Sequence, residues 1–118
     1  MNVLIDNGKV SGVIDWAGLI DDRLRDVGST VVLFSVMAPC NNPGMRDVYR
    51  DRAEMFLERY SSVFSVDLWK LEYFEAVRCF RVMVGYEFGL EGPIKVGMHK
   101  ATHKRFSEIT DVNLNIPW

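Results

Sequence analysis

The chain has little cysteine and no long apolar run. Its 118 residues include two cysteines, Cys40 and Cys79, whose spacing fits neither a metal site nor a redox motif. The most apolar stretch, residues 31–38, is far shorter than the roughly 18 residues of a membrane-spanning helix. No signal-peptide pattern precedes the first predicted strand. The sequence therefore predicts a cytoplasmic protein with two reduced, packed thiols and no membrane association.

Strong charge of one sign is also missing. Fourteen lysines and arginines face sixteen acidic residues, for a net charge of -2, so there is no electrostatic case for binding nucleic acid or an anionic membrane. Glycine-rich phosphate loops, internal repeats and a Gly-x-Ser-x-Gly nucleophile motif are absent from the sequence as well. A hydrophobic content of 48% in 118 residues predicts one globular domain, 1–118.

What is present is a hairpin pattern at residues 2–16. Asn7-Gly8 favours a type I′ turn, since both positions of that turn have positive φ. The turn predicts these pairs: Asp6 with Lys9, Ile5 with Val10, Leu4 with Ser11, Val3 with Gly12, and Asn2 with Val13. Asp15 then becomes a diagonal neighbour of Asn2, with backbones roughly 7–8 Å apart. Two oxygen ligands at that separation can share a Mg²⁺ ion that keeps several waters.

The two faces of this hairpin differ. One face is apolar and is expected to pack on helices; it carries Val3, Ile5, Val10, Ile14 and Trp16. The other face is expected to carry the polar site; it holds Asn2, Leu4, Ser11, Val13 and Asp15.

The pattern Asn-hydrophobic-Leu-hydrophobic-Asp, a turn, then Gly-Val-Ile-Asp-Trp resembles the aminoglycoside phosphotransferase family. These are small-molecule kinases built on the protein-kinase fold. The resemblance covers residues 2–28 and implies a partial kinase-like C-terminal lobe. It also implies that Asn2 and Asp15 bind Mg²⁺ and, through it, ATP or GTP. The implied reaction moves the γ-phosphoryl group to a hydroxyl of a small molecule, such as an aminoglycoside.

Residues 22–27 resemble the family's Asp-Pro-x-x-Asp-Leu segment, with Arg23 where proline is usual. By resemblance, Asp26 matches a buried Asp that braces the catalytic loop; at a helix start it is also expected to cap backbone N–H groups. Asp21 and Asp22 match acidic positions that contact cationic substrates in the family. The alternative is that they cap a turn and pair with nearby arginines.

One family feature has no counterpart. The Asp that accepts the substrate's proton lies five residues before the metal-binding Asn, a position that would precede Met1. We therefore expect no catalytic residue and no appreciable kinase activity in this chain by itself. A non-catalytic remnant or interaction domain is the alternative, because loss of a lobe would expose apolar surface and an open strand edge. That reading predicts a homodimer or larger assembly.

The rest of the chain predicts an α+β fold, mostly α, with the hairpin on a helical bundle at 26–109 and an extended tail at 110–118. Helices are expected over 26–38, 43–63, 68–90 and 93–109, the second and third capped by Asn42 and Asp67. Pro39 should begin a loop. His99 and His103, four residues apart, suggest either a metal pair or, more simply, a solvated basic face. Four glutamates predict either an acidic surface that binds substrate (an acidic wall) or the solvent-exposed (wet) side of an amphipathic helix: Glu72, Glu75, Glu87 and Glu91.

Overall fold

The computed structural model describes residues 3–13, 22–87 and 96–114. Within these ranges the chain is mostly helical with one antiparallel pair of strands, as the α+β prediction requires. None of the described helices has the length and apolar character needed to cross a bilayer. The elements are β1 (Val3–Asp6), β2 (Lys9–Val13), α1 (Arg23–Val32), α2 (Ala38–Asn41), α3 (Arg46–Ser61), α4 (Leu68–Glu87) and α5 (Val96–Thr110).

The turn of the hairpin is the one that the sequence predicts. Asn7 has φ of 49° and Gly8 has φ of 75°, which are the positive values of a type I′ turn. The pairs nearest the turn, Asp6 with Lys9 and Ile5 with Val10, also match the prediction. The short-range signal therefore fixes both the turn type and the register beside it.

Farther from the turn, the register differs from the prediction. Leu4 pairs with Gly12 and Val3 pairs with Val13, so Ser11 has no residue opposite it on β1. This extra residue forms a β-bulge, which shifts all later pairs by one position. The predicted pairs of Leu4 with Ser11 and Val3 with Gly12 are wrong. Because side chains alternate between faces, the bulge also places Val13 on the face of Val3.

The hairpin is exposed on both of its faces. Leu4, Ile5 and Val10 are 48%, 54% and 65% exposed, and no described helix contacts either strand. The prediction that the face of Ile5 and Val10 packs on helices is therefore wrong within the described residues. Alternation of apolar and polar residues identifies a face, but it does not determine what covers that face.

The first helix begins earlier and ends later than predicted. It starts at Arg23 rather than at Asp26, and helical winding continues past Pro39 to Asn41. Between α1 and α2 lies a π-helical turn, Leu33–Met37, which we call the π segment.

Pro39 gives a physical reason for the π segment. In an α-helix, Pro39 would lack an N–H for the bond four residues back, and its ring would clash with that carbonyl. Here the preceding N–H, on Ala38, donates to the Leu33 carbonyl five residues back. The wider turn also brings Val32 and Met37 into one core cluster. In an α-helix, residues five apart point about 140° away from each other.

The remaining helices follow the predicted order with shifted ends. A short 3₁₀ turn, Pro43–Met45, precedes α3, and Asn42 makes no capping hydrogen bond, contrary to prediction. The cap at Asp67 is confirmed, because its Oδ1 accepts from the Lys70 N–H at 3.2 Å. Residues 88–95 lie outside the described chain, so the predicted end of α4 and start of α5 are not compared. The described part of the predicted tail strand, residues 111–114, forms no strand.

Two apolar clusters hold the helices together. One joins the π segment to α4 and α5 and comprises Val32, Met37, Cys79, Val82 and Met98. The other joins α1 to the start of α4 and comprises Leu24, Val27 and Leu71, with partly buried aromatics from α3 around it. Between them α1 and α4 approach closely at Gly28. A Cβ there would lie 3.0 Å from the Phe74 Cβ and 3.0 Å from the Glu75 backbone nitrogen.

Candidate functional site

The predicted metal ligands, Asn2 and Asp15, lie outside the described residues, as does Asp21. The register of β1 and β2 tests one premise of the predicted Asn2 and Asp15 pair. Val13 pairs with Val3, so the prediction that Val13 faces Asn2 is wrong, and the diagonal placement of Asp15 no longer follows from that pair. Their predicted role in binding metal stays a prediction.

Asp22 lies at the N-terminus of α1 and has two defined contacts. Its Oδ1 accepts from the Leu24 N–H at 2.9 Å, and its Oδ2 lies 2.7 Å from Lys70 Nζ on α4. The hydrogen bond from the Lys70 ammonium, followed by that from the Leu24 N–H, lowers the pKa of the Asp22 carboxyl below its usual value. Asp22 is thus a helix cap tied to a second helix, with Lys70 as its cation. Its predicted contact with a cationic substrate stays a prediction.

Asp26 does not cap the helix. It lies inside the first turn of α1 with an exposed side chain, and the N-cap is Asp22. The capping prediction is wrong because helical winding already includes Arg23 and Arg25. A carboxylate in the first turn still lies near the positive end of the helix dipole.

The two histidines of α5 do not form a solvated basic face. His99 is 1% exposed, whereas His103 is half-buried and its Nε2 lies 2.8 Å from the Leu114 carbonyl oxygen. Thr102, also buried, donates to the carbonyls of Met98 and His99. Among the described residues no group of three metal-ligating side chains comes together. The prediction of a solvated face is wrong for His99, because its side chain is buried in the folded chain.

A buried ion pair is the polar feature that the sequence did not reveal. Glu75 on α4 is 4% exposed, and its Oε2 accepts from Arg105 Nε at 3.1 Å and from a terminal guanidinium nitrogen at 2.6 Å. Neither the acidic wall nor the wet helix side predicted for the glutamates describes Glu75. Glu72 is exposed, Glu91 lies outside the described residues, and the side chain of Glu87 is not described. Glu75 and Arg105 are 30 residues apart, so no local pattern signals their contact.

The chain was compared with models of protein families, with curated proteins and with solved structures, and none of them matches. The likeness to aminoglycoside phosphotransferases therefore rests on the motif residues at 2–28.

Proposed function

We propose that this chain is the C-terminal part of a small-molecule kinase of the aminoglycoside phosphotransferase type. The observation that carries the proposal is the hairpin. A turn with positive φ at Asn7 and Gly8 joins a strand that begins just after Asn2 to a strand that ends two residues before Asp15. The motif has this turn between the same two oxygen-bearing residues.

The two residues have the chemistry that the metal requires. The amide oxygen of Asn2 and the carboxylate of Asp15 are hard oxygen ligands, and Mg²⁺ is bound by few protein oxygens together with water and phosphate. When bound, Mg²⁺ neutralises charge on the nucleotide phosphates. The proposal rests on the turn and on the chemistry of the two ligands, since the bulge at Ser11 removes the register from which the diagonal placement of Asp15 was derived.

Substrate binding is assigned to Asp21 and Asp22, where a cationic group of an aminoglycoside would be held. For Asp22 the structure defines a competitor, since the Lys70 ammonium lies 2.7 Å from its carboxylate. A cationic substrate would replace Lys70 in this contact. Lys70→Ala should therefore tighten the binding of a polyamine such as kanamycin, and a variant that binds more weakly than wild type would count against Asp22 as a contact.

A catalytic base is not among the proposed residues. The 118 residues contain no His-x-Asp, and the residue that accepts the hydroxyl proton in this family has no counterpart here. We expect ATP or GTP to bind without measurable phosphoryl transfer by this chain alone.

The test is calorimetric titration with Mg-ATP and with Mg-GTP. Asp15→Ala should abolish binding, whereas Asp6→Ala should not, because Asp6 is an exposed aspartate of the same hairpin that lies beside the turn. If neither nucleotide binds the wild-type chain, the proposed nucleotide half-site is wrong. If binding survives in Asp15→Ala, the assignment of Asp15 as the metal ligand is wrong.

A second candidate is a non-catalytic interaction domain that self-associates. It is favoured by the exposed apolar side chains of the hairpin, Leu4, Ile5 and Val10, on strands whose outer edges are unpaired within the described chain. Such edges pair readily with another strand. Sedimentation at tens of micromolar should then show a dimer that Val10→Lys dissociates. A monomeric wild-type chain would exclude this candidate and leave the nucleotide titration unaffected.

A further inference from the structure

A cleft lies between α3 and α5, with the π segment and α2 forming its base. Its volume is about 590 Å³, which is within the range of pockets that hold small molecules. The apolar residues that line it are buried or half-buried, so they form its floor: Val31, Val36, Pro39, Ala53 and Leu57. A floor of this kind accommodates the hydrocarbon part of a ligand.

The rim of the cleft is cationic. Arg46 and Arg50 of α3 face Lys104 and Arg105 of α5, and the acidic residues on the lining are Glu54 and Glu108. The rim therefore has two more positive than negative side chains, in a chain whose net charge is -2. This local excess favours an anion.

The arginines of α3 are available to a ligand. Arg46 makes no hydrogen bond or ion pair with any described side chain, whereas Arg50 pairs with Asp47 at 3.2 Å and with Asp51 at 3.9 Å. Both pairs are worth little, because the side chains of Arg50, Asp47 and Asp51 are 61%, 81% and 71% exposed. Arg46 and Arg50 are four residues apart and thus on one face of the helix, so both can reach one anionic group.

On the opposite rim, the cationic side chains of α5 already have acidic partners within the chain. Arg105 already donates to the buried Glu75, while Lys104 lies 3.8 Å from a carboxylate oxygen of Glu108. These two residues contribute positive potential rather than primary contacts. The base is also unusual, because the π segment supplies Ser35 and Val36 to the lining, and π turns frequently occur at functional sites.

We propose that this cleft binds a small organic anion with an apolar body, either a carboxylate or a phosphate monoester. Arg46 and Arg50 contact the anionic group, and the apolar floor takes the body. This site shares no residue with the proposed nucleotide half-site and does not depend on it.

The test uses three probes with the same octyl chain: nonanoate, octyl phosphate and the neutral octanol. Binding is measured by calorimetry and located by amide chemical shifts. We expect at least one anion to bind roughly tenfold more tightly than octanol, the effect of one charge-assisted hydrogen bond. The shifts should cluster on the cleft-facing turns of α3, the π segment and α5. The preferred anion distinguishes a carboxylate ligand from a phosphate ligand.

Matched variants separate the site from general electrostatics. Arg46→Ala and Arg50→Ala should each weaken anion binding roughly tenfold. Arg52→Ala, an exposed arginine of the same helix that does not line the cleft, should leave it unchanged. All three side chains are exposed, so circular dichroism melts should match wild type. The proposal is overturned if neither anion binds, if octanol binds as tightly, if both cleft variants bind like wild type, or if the shifts lie elsewhere.

Discussion

Arg105→Met should destabilise the folded chain strongly, because it leaves the carboxylate of Glu75 buried without its cation. The Glu75 side chain is 5% exposed, and one of its oxygens accepts both hydrogen bonds from the guanidinium. Water has little access to that oxygen in the folded chain. In the unfolded chain the same carboxylate is fully hydrated, so the variant loses stability through the unpaired charge.

The magnitude follows from the burial of the two partners. Breaking a fully buried pair costs about 3–5 kcal/mol. Arg105 is 34% exposed, so solvent already screens part of the interaction, and we expect about 2–3 kcal/mol of lost stability. Glu75→Gln keeps an oxygen acceptor and removes the buried charge, so its cost should be about 1 kcal/mol. The double variant Glu75→Leu with Arg105→Met replaces the pair with apolar side chains and should recover most of the loss.

Urea unfolding followed by far-ultraviolet circular dichroism measures these differences. Arg81→Met is the control, since Arg81 is an exposed arginine of α4, and it should stay within about 0.5 kcal/mol of wild type. An Arg105→Met variant as stable as this control would refute the reasoning. So would a double variant no more stable than Arg105→Met, because the loss would then come from packing of the arginine stem rather than from the unpaired charge.

Three other predictions concern the helices and the thiols. In thermal melts, Gly28→Ala should cost about 1–3 kcal/mol of stability by forcing α1 and α4 apart. Gly97→Ala is the control, because a Cβ there meets nothing within 4 Å, and it should be neutral or stabilising. Asp22→Ala should lower the Tm more than Asp22→Asn, which keeps the cap and loses the ion pair. Since the folded-state pKa of Asp22 is depressed, the ionic contribution is present above its usual carboxyl pKa and is lost as pH falls through the lowered value; a wild-type advantage over Asp22→Asn that does not shrink as the pH is lowered below the usual carboxyl pKa would contradict this. Burial raises the pKa of the Cys79 thiol to about 12, so a thiol reagent at pH 8 should label Cys40 first and Cys79 only after unfolding.

The sequence predicts best those features that depend on neighbouring residues. Asn7-Gly8 determines the turn because both residues accept positive φ, and Asp67 caps α4 because its carboxylate reaches the N–H three residues on. The existence and order of the helices follow from apolar periodicity in the same way.

Features that depend on tertiary contact were not predictable. The bulge at Ser11 changes the strand register, and no turn residue in the sequence indicates its position. The basic neighbours of His99 predict a solvated face, but tertiary packing buries its side chain. The motif predicts Asn2 and Asp15 as metal ligands, and both lie outside the described residues. The cleft could not be predicted at all, since its cationic residues lie on two helices that are distant in sequence, α3 and α5.

The π segment restricts which deletions and substitutions the helical stretch 23–41 can tolerate. From Arg23 to Asn41 the backbone contains one residue more than α-helical winding would need, and Pro39 lies just beyond the surplus. Deleting a residue between 33 and 37 would restore uniform α-helical winding, and the proline ring would then lie against the carbonyl four residues back. Replacing Pro39 with alanine would remove the clash but keep the surplus residue. The surplus residue and Pro39 therefore compensate for each other. A variant that lacks only one of them should be less stable than a variant that lacks both.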